Sequence, residues 1–209
     1  MRGTGPYARF GKRALDIVAA SLGIVLLLPL GALVAALIWC ALGSPVLFRQ
    51  RRPGLHGVPF TLIKFRSMAA GFDSSGRVLP DSERLTVIGR WLRATSLDEI
   101  PELWHVLTGE MSLVGPRPLL MKYLPLYTPE QARRHEVRPG ITGLAQVSGR
   151  NGLNWDERFA LDVQYVAHCS FALDLRILAR TAHAVLSRQG VAQPGRATVD
   201  DFQGSVSHG

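Results

Sequence analysis

Two adjacent carboxylates, Asp98 and Glu99, occupy the stretch RATSLDEIPELWHVL, where the apolar spacing predicts that a helix begins. Ser96 and Glu99 have the spacing of a capping box, and the helix dipole stabilises negative charge in a first helical turn. Capping explains most such pairs in proteins. The same two carboxylates could also hold a divalent cation, and one of them could attack phosphorus as a nucleophile.

Several basic residues accompany this acidic pair in neighbouring motifs. They are Lys64, Arg66, Arg90, Arg93 and Arg117. Acids among arginines are typical of a site where the carboxylates hold a metal ion and the basic groups bind phosphate oxygens. For any single arginine, a surface salt bridge is the competing explanation. The residue types therefore indicate phosphate chemistry only when they are taken together.

The composition restricts the classes of protein to which this chain can belong. Its 209 residues carry a formal net charge of +8, which suits an anionic partner such as a phosphorylated substrate, lipid head groups or nucleic acid. Aromatic residues are not interleaved with the basic ones, so we expect no nucleic-acid partner. Cys40 and Cys169 form no disulfide framework or zinc motif, and no two histidines have metal-ligand spacing.

A long apolar segment precedes these motifs and predicts contact with a membrane. From Ile17 to Leu42 the chain runs 26 residues without a charge. As a straight helix it would measure roughly 39 Å, against roughly 30 Å of bilayer hydrocarbon. Pro29 lies near its middle, and basic residues flank both ends. Two topologies fit this pattern: a kinked helix that spans the membrane, or a re-entrant hairpin of two half-helices in one leaflet.

The remaining chain predicts short strands and helices. The runs PVLFRQ and VPFTLIKF, separated by RRPGLHG, predict a β-hairpin. Apolar periodicity predicts helices within LTVIGRWLRAT and from about Asp98 to Leu107, and Thr128 with Pro129 opens a short one. A last periodic region, from Trp155 to about Leu186, carries arginines around its apolar positions. Its helices either lie in the membrane interface or pack the core.

Six motifs follow one another along the chain: GSPVLFRQRRPG, FTLIKFRSM, TSLDEIPELWHVL, GEMSLVGPRPLL, HEVRPGITGLAQVSGRN and WDERFALDVQYV. Together they resemble the bacterial sugar transferases, in particular the small monotopic phosphoglycosyl transferases. The resemblance covers nearly the whole chain, from KRALDIVAA to about LSRQGV. Members of this family start the assembly of a polysaccharide or a glycoprotein glycan on a polyprenyl phosphate carrier.

The resemblance implies a ping-pong transfer from a UDP-sugar to undecaprenyl phosphate. Asp98 would attack the sugar-bearing phosphate and release UMP, and undecaprenyl phosphate would then take the sugar phosphate from the aspartate. Glu99, together with Asp98, would hold Mg²⁺. The positions that the resemblance implies for substrate binding are Lys64, Arg66, Arg93, Arg117, Arg138, Gln146 and Arg150.

The resemblance also implies an α+β fold in three parts. Residues 1–43 would form a re-entrant membrane helix hairpin broken at Pro29. Residues 44–190 would form the catalytic domain, with a small β-hairpin and interfacial amphipathic helices, and 191–209 a polar tail. Such a protein would lie on the cytoplasmic face of the bacterial inner membrane, in contact with membrane lipid.

Three residues depart from the family pattern. Leu28 stands where many members have a serine before the proline, and Glu102 and His105 stand where glutamine and asparagine are frequent. A serine at position 28 could bond to the backbone groups that the kink frees, so its replacement keeps the spanning topology open. Glu102 and His105 are not among the predicted catalytic residues.

Two alternatives stay open at the level of the sequence. A membrane-anchored basic module that binds anionic lipid or nucleic acid without catalysis would share the charge and the apolar segment. The identity of the sugar is also open. The tail QGVAQPGRATVDDF resembles that of small members that use N-acetylated amino sugars such as di-N-acetylbacillosamine, whereas a hexose or a simple N-acetylhexosamine fits the motifs equally well.

Overall fold

One long helix, several short ones and two small sheets make up the fold, which confirms the α+β class. The computed structural model describes residues 7, 11–69, 71, 75–77, 79–149, 152–187 and 201–204. Arg150, which was predicted to bind substrate, and most of the polar tail lie outside the described residues.

Helix α1, Lys12–Leu42, contains the apolar segment and is 31 residues long. One face is buried against the rest of the protein, at positions with helical spacing: Asp16, Ala20, Gly31, Val34 and Ile38. The opposite face exposes large apolar side chains: Val18, Leu22, Val25, Leu26, Leu28, Leu33 and Trp39. Among the described residues, α1 is the one helix long and apolar enough to cross a membrane.

Pro29 does not divide α1 into two helices. The helical backbone runs through Pro29 from Lys12 to Leu42. The segment is therefore one helix and not the two separate half-helices that the sequence predicted. A proline removes a single backbone hydrogen bond, here the one to the carbonyl of Val25, and the bonds on either side continue the helix. Leu28, which precedes it, is 66% exposed and belongs to the apolar outer face.

Strands β1, Leu47–Pro53, and β2, Pro59–Phe65, pair antiparallel and confirm the predicted hairpin. The turn between them uses left-handed backbone at His56 and Gly57, with φ angles of 55° and 75°. Glycine adopts this conformation without steric cost, which explains its place in the turn. Lys64 occupies the position before the last residue of β2, where the strand approaches the acidic pair.

Helices α2, Asp81–Arg84, α3, Val87–Thr95, and α4, Glu102–Thr108, follow the hairpin. Helix α3 confirms the helix predicted within LTVIGRWLRAT. Its first turn is capped by Thr86, whose side chain accepts a hydrogen bond from the backbone N–H of Gly89 at 3.0 Å.

The acidic pair lies between α3 and α4 instead of inside a helix that starts at Asp98. Ser96 ends α3 in the left-handed conformation, with φ of 56°, and its side chain makes no capping hydrogen bond. The predicted capping box is therefore wrong, because an N-cap residue needs an extended backbone. Asp98 and Glu99 instead form a short 3₁₀ turn, Leu97–Glu99.

A small parallel sheet forms the centre of the second half of the chain. Strand β3, Ser112–Val114, pairs with β4, Gly140–Thr142. Between them lies the short helix α5, Pro129–Ala132, which Thr128 opens as predicted through a reciprocal capping box with Gln131.

Helices α6, Leu144–Ser148, α7, Trp155–His168, and α8, Phe171–Leu186, complete the fold. The last two cover the region of predicted helical periodicity. They are separate helices because Ser170 begins α8, with its side chain accepting a hydrogen bond from the backbone N–H of Leu173.

The inner faces of α7 and α8 pack the core through Phe159, Tyr165 and Ile177, each 1% exposed. On its outer side α8 exposes Phe171 and Leu175. Core packing, one of the two alternatives for these helices, therefore explains one face of each helix, and the outer face of α8 stays available for another contact.

The described part of the tail, residues 201–204, contacts the rest of the protein. Phe202 is 4% exposed and inserts among four aromatic rings, which belong to Tyr123, Tyr127, Trp155 and Phe159. Asp201 accepts a hydrogen bond from the hydroxyl of Tyr123 at 2.7 Å. A single aromatic residue among polar ones thus docks this segment onto the catalytic domain.

Candidate active site

The turn that carries the acidic pair packs against the long apolar helix α1. Leu97 and Ile100 flank the pair and pack on the cluster that contains Val34 and Phe65. A Cβ added to Gly31 would lie 3.8 Å from a methyl carbon of Ile100, so the α1 backbone approaches the turn closely. The position of the carboxylates therefore depends directly on α1.

Glu99 is the centre of a charged cluster. Its Oε1 accepts hydrogen bonds from Nη2 of Arg117 at 2.6 Å and from Nζ of Lys64 at 3.0 Å. Burial alone would raise the pKa of Glu99, but the charges of Arg117 and Lys64 outweigh it and lower that pKa to about 2. Glu99 is therefore ionised throughout the physiological range.

Lys64 also contacts a third carboxylate that the sequence did not single out. Its Nζ lies 2.8 Å from Oε1 of Glu102, whose side chain is 2% exposed. Burial raises the pKa of Glu102 to about 7, although the charge of Lys64 acts in the opposite direction. The signal was its spacing, since a residue three positions after Glu99 lies near it on a helical turn.

Asp98 differs from its neighbours because its carboxylate has no hydrogen-bond partner among the described residues. It is 7% exposed, and burial followed by the charge of Glu99 raises its pKa to about 6. Lys64, Arg117 and Arg93 act in the opposite direction. At neutral pH Asp98 is thus mostly ionised, little hydrated and unpaired, which suits a nucleophile.

The predicted substrate-binding residues divide into two groups. Lys64 and Arg117 contact the acidic pair directly, while Arg93, which influences the pKa of Asp98, donates from Nε to the hydroxyl of Ser67 at 3.0 Å. Arg117 keeps 42% of its side chain exposed, so its guanidinium can reach a ligand as well as Glu99.

The other group makes contacts of a structural kind. Arg66 donates to the carbonyls of Leu42, Gly43 and Ser44 at the end of α1. Arg138 donates from Nε to the carbonyl of Gly109 at 2.8 Å, just after α4. Both guanidinium groups thus satisfy carbonyls at helix C-termini, where positive charge is favoured.

Gln146 has a different environment, because both polar atoms of its buried amide lack a hydrogen-bond partner. Such an amide is costly to leave unsatisfied, which keeps Gln146 a candidate for ligand binding.

Arg134 and Asp162 form a buried pair that sequence reasoning missed. Nε and Nη2 of Arg134 donate to Oδ2 of Asp162 at 3.0 and 2.7 Å, and both side chains are at most 2% exposed. Nη2 also donates to the backbone carbonyl of Arg117 at 2.8 Å. The pair therefore holds the backbone from which Arg117 reaches Glu99. The signal in the sequence was an acid, Asp162, on the apolar face of α7.

His105 is buried and orients the strand that carries Lys64. Its Nδ1 lies 2.6 Å from Oε2 of Glu110, and its Nε2 accepts the backbone N–H of Ile63 at 3.0 Å. Because Nε2 accepts this hydrogen bond, the ring donates from Nδ1 to Glu110. This contact fixes β2 one residue before Lys64.

The donor set around Asp98 and Glu99 fits a magnesium ion bound together with substrate. Mg²⁺ is usually bound by one or two carboxylates plus phosphate oxygens and water, rather than by a complete protein cage. The described residues contain no cluster of three His, Cys, Asp or Glu side chains able to hold a metal. The unpartnered oxygens of Asp98 and the second oxygen of Glu99 are the groups that could contact such an ion.

Comparison with known proteins relates this arrangement to a chemical class. The family model described as Bacterial sugar transferase matches residues 7–188. The chain is 53% identical over 194 residues to the uncharacterized sugar transferase EpsL of Bacillus subtilis. The aligned residues cover 93% of this chain and 96% of the relative.

Two further relatives carry the name of a reaction. The UDP-glucose:undecaprenyl-phosphate glucose-1-phosphate transferase of Caulobacter vibrioides is 42% identical over 201 residues, or 90% of this chain and 75% of the relative. The undecaprenyl-phosphate galactose phosphotransferase of Salmonella typhimurium is 37% identical over 203 residues, or 88% of this chain and 42% of the relative.

Proposed function

The chain belongs to the bacterial sugar transferase family and is a sugar-phosphate transferase, and we propose that it moves a sugar 1-phosphate from a UDP-sugar to undecaprenyl phosphate. The reaction would release UMP and start the assembly of a glycan. The observation that carries this proposal is the buried, unpartnered carboxylate of Asp98 beside the Glu99–Arg117–Lys64 cluster.

In the first step an oxygen of Asp98 attacks the sugar-bearing phosphorus of the UDP-sugar. The bond from this phosphorus to the bridging oxygen breaks, and UMP leaves with the bonding electron pair. In the second step an oxygen of undecaprenyl phosphate attacks the same phosphorus, and the bond to Asp98 breaks. The product is undecaprenyl diphosphate-sugar, and the carboxylate of Asp98 is regenerated.

The cations of the site stabilise the charge that these steps move. Arg117, which is partly exposed, is suited to bind a diphosphate oxygen while it holds Glu99, and Arg93 lies close enough to influence Asp98. Lys64 neutralises the two buried glutamates. Mg²⁺ held by Asp98 and Glu99 would supply further neutralisation of the diphosphate.

The contacts of α1 support a monotopic position, with both ends of the helix on one side of the membrane. Near its start, Arg13 donates to the carbonyls of Val106 and Leu107, and Asp16 accepts from the backbone N–H of Leu113. At its end, Arg66 holds the last carbonyls. A helix that crossed a bilayer would carry one end about 30 Å from a domain on the other side.

This topology explains how two very different substrates meet. The apolar outer face of α1 would contact lipid, and the catalytic turn packs against the inner face of the same helix. Asp98 would then lie near the membrane surface, accessible to a soluble UDP-sugar and to the phosphate of the lipid carrier. We propose that α1 enters and leaves through one leaflet as a single continuous helix that bends at Pro29, and not as the two separate half-helices predicted from the sequence.

Release of UMP from a panel of UDP-sugars, with Mg²⁺ and undecaprenyl phosphate, tests the proposal. The wild type is compared with Asp98→Asn and with Glu130→Gln, an exposed carboxylate outside the site, as control. We expect metal-dependent release that Asp98→Asn abolishes and Glu130→Gln keeps. No turnover of any UDP-sugar would favour the binding module without catalysis, and full activity of Asp98→Asn would exclude this nucleophile.

The same panel identifies the sugar. It contains UDP-glucose and UDP-galactose, which the names of the relatives suggest, together with UDP-N-acetylhexosamines and UDP-di-N-acetylbacillosamine, which the tail motif suggests. The donor that is turned over fastest identifies the sugar: a hexose would exclude the amino sugar that the tail motif suggests, and an N-acetylated amino sugar would exclude the hexoses that the names of the relatives suggest.

A further inference from the structure

The side-chain amide of Gln146 is buried without a hydrogen-bond partner, and the steps of the proposed reaction give it no role. Both of its polar atoms, Oε1 and Nε2, are closed off from solvent and unpartnered within the part of the chain that the structure describes. A buried donor and acceptor are costly to leave unsatisfied, so an amide in this state is a candidate for contact with a ligand. The residue as a whole is only partly buried, so its amide lies close to the surface and not in the centre of the core.

Gly143 brings this amide next to the segment that carries Arg117. A Cβ added to Gly143 would lie 2.7 Å from Oε1 of Gln146 and 2.2 Å from the carbonyl oxygen of Gly115, so only a glycine allows this close approach. The backbone N–H of Gly115 also donates to the carbonyl at the end of β4 at 2.8 Å, which ties the two segments together. The amide is thus fixed beside a backbone position that lies two residues before Arg117.

The helix that carries Gln146 packs away from the catalytic turn. Helix α6 contacts α7 and α8, whereas the turn Leu97–Glu99 contacts α1, α3 and β2. In a UDP-sugar the sugar is joined directly to the phosphorus that Asp98 attacks, and the uracil ring is the part of the molecule furthest from it. With the sugar phosphate at Asp98 and the diphosphate at Arg117, Gln146 therefore lies toward the end of the donor that carries the base.

We propose that Gln146 binds the uracil ring of the donor through two hydrogen bonds to one edge of the base, an inference that rests on the proposed function. Nε2 donates to the carbonyl oxygen O4, and Oε1 accepts the N3–H. These two groups stand side by side on the ring, as the two polar atoms of the amide do. The N-acetyl group of a sugar would not satisfy both atoms, because the N–H and C=O of a trans amide point in opposite directions. Gln146 is thus a binding residue and not a catalytic one.

Binding of nucleotides to the purified full chain in detergent tests this inference without any turnover. The probes are UMP, inorganic pyrophosphate and 3-methyl-UMP, in which a methyl group replaces the hydrogen on N3. Gln146→Leu removes both polar atoms and keeps a side chain of similar size. Gln164→Leu makes the same change at an exposed glutamine of α7 and is the control. Denaturant unfolding of each variant without ligand gives a readout that is independent of binding.

We expect Gln146→Leu to weaken the binding of UMP about tenfold or more, because two hydrogen bonds are lost, and to leave the binding of pyrophosphate unchanged. Gln164→Leu should change neither by more than about twofold. The methyl group of 3-methyl-UMP should weaken binding to the wild type by a similar factor but have little effect on Gln146→Leu, a result that a purely structural role would not produce. Gln146→Leu should be at least as stable as the wild type, because it removes two unsatisfied polar atoms from the interior.

The outcomes separate this inference from the proposed function. Equal binding of UMP by the wild type and Gln146→Leu, or an equal loss of pyrophosphate binding, would overturn the inference and leave the function intact. Binding of 3-methyl-UMP by the wild type as tightly as UMP would do the same, and this result does not depend on the folding of any variant. Failure of the wild type to bind UMP at all would instead contradict the proposed function, of which UMP is a product.

Discussion

Lys64 balances the charge of the candidate site. It lies 3.0 Å from Glu99 and 2.8 Å from Glu102, and both glutamates are largely shielded from solvent. The pKa of Glu99 is lowered because Arg117 adds a second positive charge, while that of Glu102 is raised because burial prevails. Lys64 thus compensates the negative charge of two carboxylates, of which only Glu99 has a second cation.

Replacing Lys64 should therefore destabilise the fold strongly. Lys64→Met leaves the buried Glu102 without its cation and Glu99 with Arg117 alone, and we expect a loss of about 3–5 kcal/mol in the free energy of unfolding. Lys64→Met/Glu102→Gln should recover part of this loss, because one uncompensated charge is removed. Denaturant unfolding in detergent measures both values. If Lys64→Met alone were as stable as the wild type, the ion pair between Lys64 and Glu102 would contribute little to stability.

The structure brings Lys64 and Arg117 to the acidic pair, as the residue types predicted, but those types could not assign every arginine. Arg66 and Arg138 bind backbone carbonyls at helix ends. A guanidinium that satisfies carbonyls and one that binds phosphate use the same N–H donors, so sequence alone does not separate the two roles. The contact of Glu102 with Lys64 joins a helix and a strand 38 positions apart, so no local pattern predicts it.

At the scale of elements, α7 supports the loop that carries Arg117. Asp162 on α7 binds Arg134, and Arg134 donates to the carbonyl of Arg117. Arg134 also lies over the rings of Tyr127 and Phe159, 5.8 and 5.7 Å from their centroids. The position of Arg117, for which we propose a role in substrate binding, thus depends on a helix that contributes no residue to the turn of Asp98 and Glu99.

Two variants separate the stability of this pair from its positioning role. Asp162→Asn should lower the free energy of unfolding by about 3–5 kcal/mol, because it leaves a buried guanidinium uncompensated. Arg134→Met/Asp162→Leu should recover most of that stability, since apolar residues replace the whole pair. Its KM for the UDP-sugar should nevertheless stay raised, because the hydrogen bond to Arg117 is lost. Wild-type kinetics in the double variant would refute the positioning role.

His135 predicts a pH dependence of stability at the junction of the hairpin turn and helix α5. Burial and then the charge of Arg134 lower its pKa from about 6.5 to about 4. Because the folded protein disfavours the charged ring, its contribution to stability is complete above pH about 6.5 and is lost as the pH falls toward 4. His135→Gln should weaken the dependence of the unfolding midpoint on pH in this window. Replacement of the exposed His183 by glutamine should leave that dependence unchanged. Equal slopes in both variants would contradict this assignment.

Elements with local signals were predictable and those that depend on distant partners were not. The β-hairpin and the capped start of α5 follow from turn and capping residues within a few positions. Strands β3 and β4 have three residues each and pair across 28 positions, so no local pattern predicts their pairing. Ser96 misled because its spacing matched a cap while its backbone closes the preceding helix.

For the whole molecule, the main consequence of the structure is that both ends of α1 belong to one body. Arg13 contacts the segment after α4, and Arg66 contacts the end of α1, so the apolar helix lies along the catalytic domain. The sequence could not show this, because apolar length and a proline are equally compatible with crossing the membrane. The burial of Phe202 could not be predicted either, because it depends on aromatic rings that are far away in the chain.

Accessibility labelling tests this topology. Ala14→Cys and Ser44→Cys place single exposed thiols at the two ends of α1, in a background with Cys40→Ala and Cys169→Ala. An impermeant maleimide should label both positions in inside-out vesicles and neither in intact spheroplasts. Labelling of one position in spheroplasts would show that α1 crosses the membrane and would overturn the monotopic arrangement.

The measurement that most directly tests the central claim is the mass of the protein after reaction with the preferred UDP-sugar in the absence of undecaprenyl phosphate. We expect one added sugar phosphate per chain, located by peptide mapping on Asp98, absent in Asp98→Asn and removed when undecaprenyl phosphate is added. Turnover of the complete reaction with no adduct, or an adduct on another residue, would contradict a phosphosugar intermediate on Asp98.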